Sequence, residues 1–348
     1  MTVRLSAVVP CFNEQDCLHE LHARLSDACR AAVGEDYEII LVNDGSRDGT
    51  WAIMQQLAAR DPRLSAVNLA RNHGHQLALT AGLALCRGER IFIIDADLQD
   101  PPELLAAMLA RMDAEEAEVV YGQRRVREGE TAFKKVTANA FYRLLSRLAE
   151  VDIPRNTGDF RLMSRRALDV ILAMPEQFRF VRGMVAWIGM KQVPFLYDRA
   201  PRYAGETKYP LRKMVRFAVD AITGFSTSPL RLASHAGLIL AFLSIPLMIY
   251  VLSGWALGHT VPGWTSVILV VTILGASQMV MLGLLGEYIG RIYVQSKARP
   301  LFIIQDVVSH QAAPMAVPLG YLMGGAPKRP LGEAGDMAVA ASRVREVA

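Results

Sequence analysis

Two aspartates two residues apart follow a short apolar segment, Ile91–Ile94. That segment has the β-branched and aromatic composition of a strand covered on both faces. Asp95 and Asp97 would lie at its carboxyl end, where an extended backbone points both side chains the same way. Neighbouring carboxylates raise each other's pKa unless a cation lies between them, so the pair suits Mg²⁺ or Mn²⁺ sharing its ligands with a phosphate. A solvated acidic turn before a helix that begins near Asp100-Pro101-Pro102 is the alternative, and the pair alone does not decide between them.

Three further polar segments also follow predicted strands directly. The strands are Leu5–Val9, Tyr37–Val42 and Ser65–Leu69, and the segments after them are Pro10–Glu14, Asn43–Thr50 and Ala70–Gln76. Helical spacing of apolar residues predicts helices between the strands, the first to about Ala32 and the third to Cys86, and Val119–Gly122 is predicted as a fifth strand. This alternation predicts an α/β protein with a parallel, doubly wound sheet. Ligands of such sheets bind beyond the carboxyl ends of the strands, so we expect all four polar segments to share one rim.

The polar segments suit a nucleotide, although the usual nucleotide fingerprints are missing. The sequence contains neither G-x-G-x-x-G after the first strand nor G-x-x-x-x-G-K-[ST], which argues against a dinucleotide site or a P-loop. Glu14 and Asp44 can accept hydrogen bonds from a base or ribose, and Arg71 can donate to phosphate. Asn13 and Asp44 could equally be turn or cap residues, but their shared rim favours the nucleotide role.

Two histidines, His73 and His75, have the spacing of a metal-binding pair. No third ligand of that type lies nearby in the sequence, so we interpret both as loop residues.

Composition indicates a membrane-associated protein. Hydrophobic residues make up 52% of the 348 residues, and the formal net charge of +4 gives no argument for nucleic-acid binding. The four cysteines lie in the first quarter without a CxxC motif, so we expect them to be reduced. The strand pattern that begins by Arg4 is not that of a signal peptide, and we expect membrane attachment from within the chain.

Two long apolar segments, at about 233–257 and 264–286, exceed the ~20 residues that a bilayer core requires. Arg231 precedes the first segment, and Arg291, Lys297 and Arg299 follow the second. The positive-inside rule therefore predicts two transmembrane helices with both ends in the cytosol.

Basic amphipathic segments accompany these spans. Residues 131–151 would either lie on an anionic leaflet or cover the sheet, and the pattern leaves both open. Residues 210–230 are predicted as juxtamembrane amphipathic helices. The preceding loop carries Arg202, Thr207 and Lys208, which could clamp a phosphate or form an ordinary solvated loop. Asp159 follows a glycine and is flanked by apolar residues, as expected for a loop carboxylate that projects into a site.

Taken together, the sequence resembles the inverting GT-A glycosyltransferases of family 2, and within it the polyprenyl-phosphate glycosyltransferases. These include dolichyl-phosphate mannose synthases, the bacterial 4-deoxy-4-formamidoarabinose transferases and, most similar, the bactoprenol glucosyl transferases. The match covers about residues 4–308 and rests on six segments in the family's order: Val9–Glu14, Asn43–Ser46, Asp95–Pro101, Gly158–Ser164, Gly205–Tyr209 and Leu285–Arg291.

The resemblance implies a Rossmann-like, mostly parallel GT-A domain at 1–209, juxtamembrane helices at 210–230 and two transmembrane helices within 231–290. A cytosolic extension at 291–308 and a disordered tail at 309–348 would follow. The residues implied in the site fall into four groups: Pro10, Asn13, Glu14, Asp44, Arg71 and Asp95 for the nucleotide sugar; Asp95, Asp97 and Gln99 for Mg²⁺ or Mn²⁺; Asp159 as the catalytic carboxylate; Arg202, Thr207 and Lys208 for the lipid phosphate. His75 departs from the residue that relatives often carry after Asn-x-Gly.

The implied reaction is transfer of a sugar from a nucleotide sugar, UDP-glucose favoured, to undecaprenyl phosphate at the cytosolic face of the inner membrane. N-acetylglucosamine, mannose and formamidoarabinose remain open as the sugar. The resemblance also implies a homotetramer, a separate flippase and a downstream transferase. A processive polysaccharide synthase is the nearest rival, but the Q-x-x-R-W motif of those enzymes is absent from Gln177–Val181. An inactive membrane scaffold or nucleotide sensor is the alternative from a different class.

Overall fold

The computed structural model describes residues 3–125, 154, 157–198, 228–257, 263–310 and 344–346. The strands are β1 Leu5–Cys11, β2 Tyr37–Asn43, β3 Leu64–Leu69, β4 Arg90–Ile93, β5 Val119–Arg124, β6 Thr157–Ser164, β7 Gln192–Tyr197, β8 Ile304–Ser309 and β9 Val344–Glu346. The helices are α1 Leu18–Val33, α2 Thr50–Arg60, α3 His75–Leu85, α4 Leu105–Ala114, α5 Arg165–Ala173, α6 Val181–Trp187, α7 Ser228–Ala256 and α8 Trp264–Ser296. A 3₁₀ turn, Pro102–Leu104, leads into α4.

The strands form one nine-stranded sheet in the order β7-β5-β6-β4-β1-β2-β3-β8-β9. Strands β4, β1, β2 and β3 run parallel, whereas β6 lies antiparallel between β4 and β5, and β8 lies antiparallel to β3. The carboxyl ends of the four parallel strands and the amino end of β6 therefore meet at one edge of the sheet.

Helices cover both faces of the central strands. Every residue of β1 and β2 is buried, as expected for strands between two helical layers. Leu18, Leu21 and Leu25 of α1 belong to the core cluster on one face. On the other face α3 lies so close to β1 and β2 that a Cβ at Gly82 would meet Val8 Cγ1 at 2.4 Å. This close contact fixes the amino end of α3 beside the carboxyl edge of the sheet.

Two expectations from the sequence are wrong in detail. The segment around Asp159 is not a loop: Thr157–Ser164 is a strand, with seven of its eight residues buried, and Ile93 pairs with Arg161. The glycine and aspartate near its start are uncommon in strands, which is why the sequence pattern did not indicate one. Because this strand pairs antiparallel with β4, the sheet is mostly but not wholly parallel. Asp97 does not continue an extended strand either, because β4 ends at Ile93 and the chain turns at 96–97.

The carboxyl-terminal part of the chain contributes a strand that the sequence pattern did not indicate. Ile304–Ser309 pairs with β3, and the Ser65 and Ser309 hydroxyls lie 3.1 Å apart. The three-residue strand Val344–Glu346, within the segment predicted as a disordered tail, pairs with β8.

The long helices α7 and α8 belong to a second compact unit, and the chain returns to the first at Ala298. Both predicted membrane segments are helical. Within the described residues, one stretch, Ile273–Ser296, is long and apolar enough to cross a bilayer by length and composition. The predicted amphipathic segments at 131–151 and 210–227, the loop with Arg202, Thr207 and Lys208, and residues 311–343 lie outside the described residues.

Candidate functional site

Pro10 lies inside β1 rather than in the loop after it. Val8 O accepts the N–H of Ile94, whereas Cys11 O accepts the N–H of Asp44, so the backbone groups of β1 point alternately to β4 and β2. The missing N–H of Pro10 therefore faces the side on which β4 has already ended, and no bond of the sheet is lost. The strands separate at this point, which leaves room at the edge for side chains and ligands.

Side-chain hydrogen bonds join the loops after β1 and β2. Asn13, in the left-handed region with φ of 56°, donates its N–H to Ser46 Oγ at 2.9 Å and accepts the N–H of Arg47 on Oδ1 at 2.9 Å. The N–H of Glu14 is bonded to Thr50 Oγ1 at 2.9 Å. Asn13 is thus a turn residue in this structure, and it also lies at the rim where the nucleotide was predicted.

Asp44 holds the loop between β3 and α3. Its buried carboxylate accepts the N–H groups of His73 at 2.6 Å and Gly74 at 2.9 Å. Burial raises the pKa of Asp44, and these two N–H groups oppose the rise. A Cβ at Gly45 would lie 2.5 Å from Asn72 N, so only glycine allows the two loops to approach this closely. The visible role of Asp44 is to shape the loop, and exposed Arg71 lies on the same loop.

Asp159 has hydrogen-bonding or charged partners on both of its carboxylate oxygens. Its Oδ2 accepts from Gln76 Nε2 at 2.8 Å and lies 3.1 Å from His75 Nε2. Its Oδ1 lies 3.4 and 3.5 Å from two nitrogens of Arg182 and 3.9 Å from Arg161 Nη2. Arg182 also donates to the Thr157 carbonyl oxygen at 2.9 Å. The four side chains come from α3, β6 and α6, so the carboxylate joins three elements.

These neighbours keep Asp159 ionised. Burial alone would raise the pKa of Asp159, but the His75 hydrogen bond and the charges of Arg182 and Arg161 hold it well below its usual range. The fully buried guanidinium of Arg161 has its own pKa lowered to about 10 by burial, against the attraction of Asp159. Asp159 is therefore a carboxylate with almost no tendency to take a proton at neutral pH.

The structure changes the interpretation of His75, which we expected to be a loop residue. It is the first residue of α3, and its Nε2 lies 3.1 Å from Asp159 and 3.6 Å from Asp95. Burial lowers the pKa of His75, yet the Asp159 hydrogen bond and the charges of Asp95 and Asp159 raise it to about 9. His75 thus lies near two carboxylates, and both favour its protonated form.

The carboxylate cluster fits a divalent cation. Asp95 Oδ1 is buried and has no hydrogen-bond partner within the described residues. The pKa of Asp95 is raised to about 6, chiefly by burial; the charge of His75 opposes the rise, and the charges of Asp159, Asp100 and Asp97 add to it. An added positive charge would relieve this repulsion.

Protein ligands for such a cation are few. In the part of the chain that the structure describes, no group of three His, Cys, Asp or Glu residues could hold a metal ion by itself. Magnesium sites commonly use one or two carboxylates and complete the shell with water and substrate phosphate. Asp95 and Asp97 would be those ligands. Asp97 Oδ1 accepts the N–H of Gln99 at 3.2 Å, and the Gln99 side chain is buried.

Another buried carboxylate, Asp100, lies close enough for its charge to affect the pKa of Asp95. Tyr197 donates its hydroxyl to Asp100 Oδ1, and Arg124 Nη2 lies 3.8 Å from the same oxygen. Burial and the Asp100 charge raise the pKa of Tyr197 above its usual range. Asp100 thus joins β5 and β7 to the turn after β4, although the sequence indicated only a helix start.

Sequence reasoning missed Gln76 and Arg182 as site residues. Gln76 directly follows His75 and ends the segment Ala70–Gln76, which the sequence already placed at the rim, so its position could have indicated a site residue. Arg182 lies 23 residues after Asp159 with an intervening helix, and no sequence pattern brings the two together. The predicted lipid-phosphate residues Arg202, Thr207 and Lys208 lie outside the described residues.

Comparison with known proteins identifies the family of the chain. The family model "Glycosyl transferase family 2" matches residues 6–172, the segment that contains β1 to β6. The "Uncharacterized glycosyltransferase YkcC" of Bacillus subtilis (strain 168) is 45% identical over 306 residues, covering 87% of this chain and 94% of that protein. The "Prophage bactoprenol glucosyl transferase homolog" of Escherichia coli (strain K12) is 36% identical over 88% of this chain and 99% of its own length. The "Bactoprenol glucosyl transferase" of Shigella phage SfV is 36% identical over 87% of this chain and 99% of that one. Since the relatives match over nearly their full lengths, the chain belongs to glycosyl transferase family 2 and is a glycosyltransferase with a GT-A-like α/β domain.

Proposed function

We propose that the protein transfers a sugar, glucose favoured, from a UDP-sugar to undecaprenyl phosphate at the cytosolic face of the plasma membrane. The observation that carries the proposal is a pair of unlike carboxylates at the sheet edge: Asp159, whose charge is stabilised by its neighbours, and Asp95, whose buried Oδ1 has no hydrogen-bond partner within the described residues. It occurs in a chain that matches proteins named bactoprenol glucosyl transferase over nearly their whole length.

The acceptor determines what Asp159 must do. A phosphate monoester has a second pKa near ~6, so undecaprenyl phosphate is mostly deprotonated at cytosolic pH. Its oxygen needs no general base to attack the anomeric carbon. Asp159, whose pKa lies well below the usual range, would be a poor base in any case. Its role in this proposal is to orient the sugar or the acceptor for attack from the face opposite the leaving UDP, which inverts the configuration.

Other residues at the edge bind and hold the donor. Glu14 and Asp44 lie at the rim proposed for the base and ribose, together with Pro10, Asn13 and exposed Arg71. Asp95 and Asp97, with Gln99, would hold the Mg²⁺ or Mn²⁺, which when bound neutralises charge on the diphosphate leaving group.

The membrane part of the proposal rests on the chain beyond residue 200. Helix α8 contains a stretch that could cross a bilayer, and α7 covers nearly all of the first predicted span, at about 233–257. Arg202, Thr207 and Lys208 are proposed to bind the lipid phosphate. Basic residues near an anionic leaflet are worth about 1 kcal/mol each. A homotetramer, a separate flippase and a downstream transferase complete the proposal.

A panel of radiolabelled nucleotide sugars tests this function. Membranes containing the full chain are incubated with undecaprenyl phosphate and Mg²⁺, and label is followed into the organic phase, with Asp97→Ala as the matched control. The expected result is label from one donor, UDP-glucose first, that is lost in the variant. Metal-dependent UDP release without lipid label would show that the acceptor is wrong. The absence of both lipid label and UDP release would favour the inactive membrane scaffold.

A further inference from the structure

The two oxygens of Asp159 are held very differently. Oδ2 has two short contacts, from Gln76 Nε2 at 2.8 Å and His75 Nε2 at 3.1 Å. Oδ1 has the Arg182 guanidinium at 3.4 and 3.5 Å and Arg161 at 3.9 Å, distances at or beyond the range of a good hydrogen bond. Oδ2 is thus saturated by the protein, whereas Oδ1 keeps capacity to accept a hydrogen bond from a ligand.

Gln76 is itself fixed at both ends. While its Nε2 donates to Asp159, its Oε1 accepts the N–H of Val181 at 2.9 Å. Val181 is the first residue of α6, and the N–H groups of a first helical turn have no partner inside the helix. Only one orientation of the amide pairs both ends, because a flipped amide would put oxygen against carboxylate and NH₂ against N–H.

The residues around this amide explain why a neutral side chain suits the position. Asp159 on β6 accepts a hydrogen bond from it, Arg182 on α6 contacts the other oxygen of that carboxylate, and His75 precedes it on α3. His75 Nε2 also lies 3.6 Å from Asp95, so this side chain interacts with both Asp159 and Asp95. Gln76 makes no such second ionic contact among the described residues, and it can fix Oδ2 without changing the net charge of the site.

We propose that Gln76 is a positioning residue of the transferase, which locks Asp159 Oδ2 against α6 so that Oδ1 is the oxygen presented to the substrates. The proposal rests on the proposed function, in which Asp159 is the catalytic carboxylate. Small misplacement of a catalytic group can cost about 100-fold in rate, and loss of a supporting hydrogen-bond partner costs about 10–100-fold at metal sites.

The first test replaces the amide by an apolar side chain of similar size, Gln76→Leu. The full chain is assayed in detergent with the donor and acceptor on which the parent protein is active. We expect kcat to fall by about 10–100-fold while KM for the nucleotide sugar changes by less than about threefold. The matched control is Gln56→Leu, the same change at an exposed position of α2, which is expected to keep the parental kcat.

A second variant, Gln76→Glu, separates positioning from simple loss of packing. Glutamate keeps the shape and an acceptor for the Val181 N–H, but when ionised it has no hydrogen to donate to Asp159. When protonated it regains a donor, and the adjacent Asp159 charge raises its pKa toward the assay range, against His75 and Arg182. We therefore expect the ratio of variant to parental kcat to rise as the pH falls from about 8 to 5.5.

The outcomes distinguish this inference from the proposed function. Parental kcat in Gln76→Leu, or a ratio for Gln76→Glu that does not change with pH, would overturn the positioning role. If Asp159→Asn is inactive in the same assay, such a result rejects only the role of Gln76, and the catalytic role of Asp159 stands. If Asp159→Asn also keeps parental activity, the catalytic assignment of Asp159 fails and the inference falls with it.

Discussion

Asp95 and Asp159 lie beside each other at one edge of the sheet, yet the protein treats them in opposite ways. Asp95 follows β4 and Asp159 is in β6, the strand that pairs with β4. Both carboxylates lie within 3.6 Å of His75 Nε2. Nevertheless the pKa of Asp159 is held well below its usual range, while that of Asp95 is raised to about 6.

The difference arises from partners rather than from burial, since burial raises the pKa of both groups. Asp159 is surrounded by donors and cations from the protein itself. Asp95 has other carboxylates as neighbours and one buried oxygen without a hydrogen bond in the described structure. The described protein groups thus satisfy Asp159, whereas Asp95 keeps a buried oxygen to which a ligand could bind. Pairs of acids separated in this way commonly have separate roles; in the proposed function these are orientation by Asp159 and cation binding by Asp95.

The largest expected effect is that of Asp159→Asn on turnover. The variant keeps the shape of the side chain but loses the charge, and in either orientation its NH₂ donor faces other donors, either those of His75 and Gln76 or the guanidinium of Arg182. We expect kcat to fall by about 100-fold or more. Because the acceptor phosphate is already deprotonated, the loss should be similar between pH 7 and 9. A kcat profile against pH measures this, with near-ultraviolet circular dichroism confirming the fold. Full recovery of the variant at high pH would mean that Asp159 is a general base after all.

Cation binding should separate the two carboxylates without any assay of activity. A ligand that binds only the folded state raises the unfolding temperature by mass action. We expect Mn²⁺ with UDP to raise the unfolding temperature of the parent and of Asp159→Asn by several degrees, and to leave Asp95→Asn unchanged. Differential scanning fluorimetry in detergent, with EDTA as the reference, measures the shift. An equal shift in Asp95→Asn would exclude Asp95 as a ligand.

Stability against pH gives a third comparison, in EDTA. The folded-state pKa of Asp95, about 6, exceeds the ordinary value of 3.8, so folded protein holds this proton more tightly than unfolded protein between those values. Stability therefore falls as the pH rises through this window. Asp95→Asn should match the parent in stability below about pH 4 and exceed it above pH 6, by up to about 3 kcal/mol.

Thermal unfolding of the parent and Asp95→Asn at a series of pH values measures that difference. Asp159→Asn serves as the contrast. It should be less stable than the parent at pH 7, because the charge of the Asp159 carboxylate stabilises the folded state. A parent that is more stable than Asp95→Asn at pH 8 in EDTA would contradict the description of Asp95.

The sequence indicated most of the site but little of what supports it. Alternating strands and helices placed Asp44, Asp95 and their loops at one edge, because parallel strands end on the same side. The sequence-based prediction failed for Asp159, whose strand was mistaken for a loop because glycine and aspartate have low strand propensity. It also failed for β8, whose pairing with β3 spans more than 200 residues of chain. Contacts such as Gln76 to Val181 depend on how α3 and α6 pack, and no local pattern encodes that.

The smallest effect should come from Arg182→Lys, and it tests the looser side of Asp159. An arginine that binds a carboxylate with two short hydrogen bonds is poorly replaced by lysine. Here both contacts to Oδ1 are long, 3.4 and 3.5 Å, while the 2.9 Å bond to the Thr157 carbonyl oxygen is one that a lysine ammonium can also make. We expect kcat to fall by less than about tenfold, which corresponds to less than about 1.4 kcal/mol. The same kinetic assay compares this variant with Gln76→Leu. A larger loss in Arg182→Lys than in Gln76→Leu would reverse the assignment, making Oδ1 the oxygen held by the protein and Oδ2 the one offered to substrate.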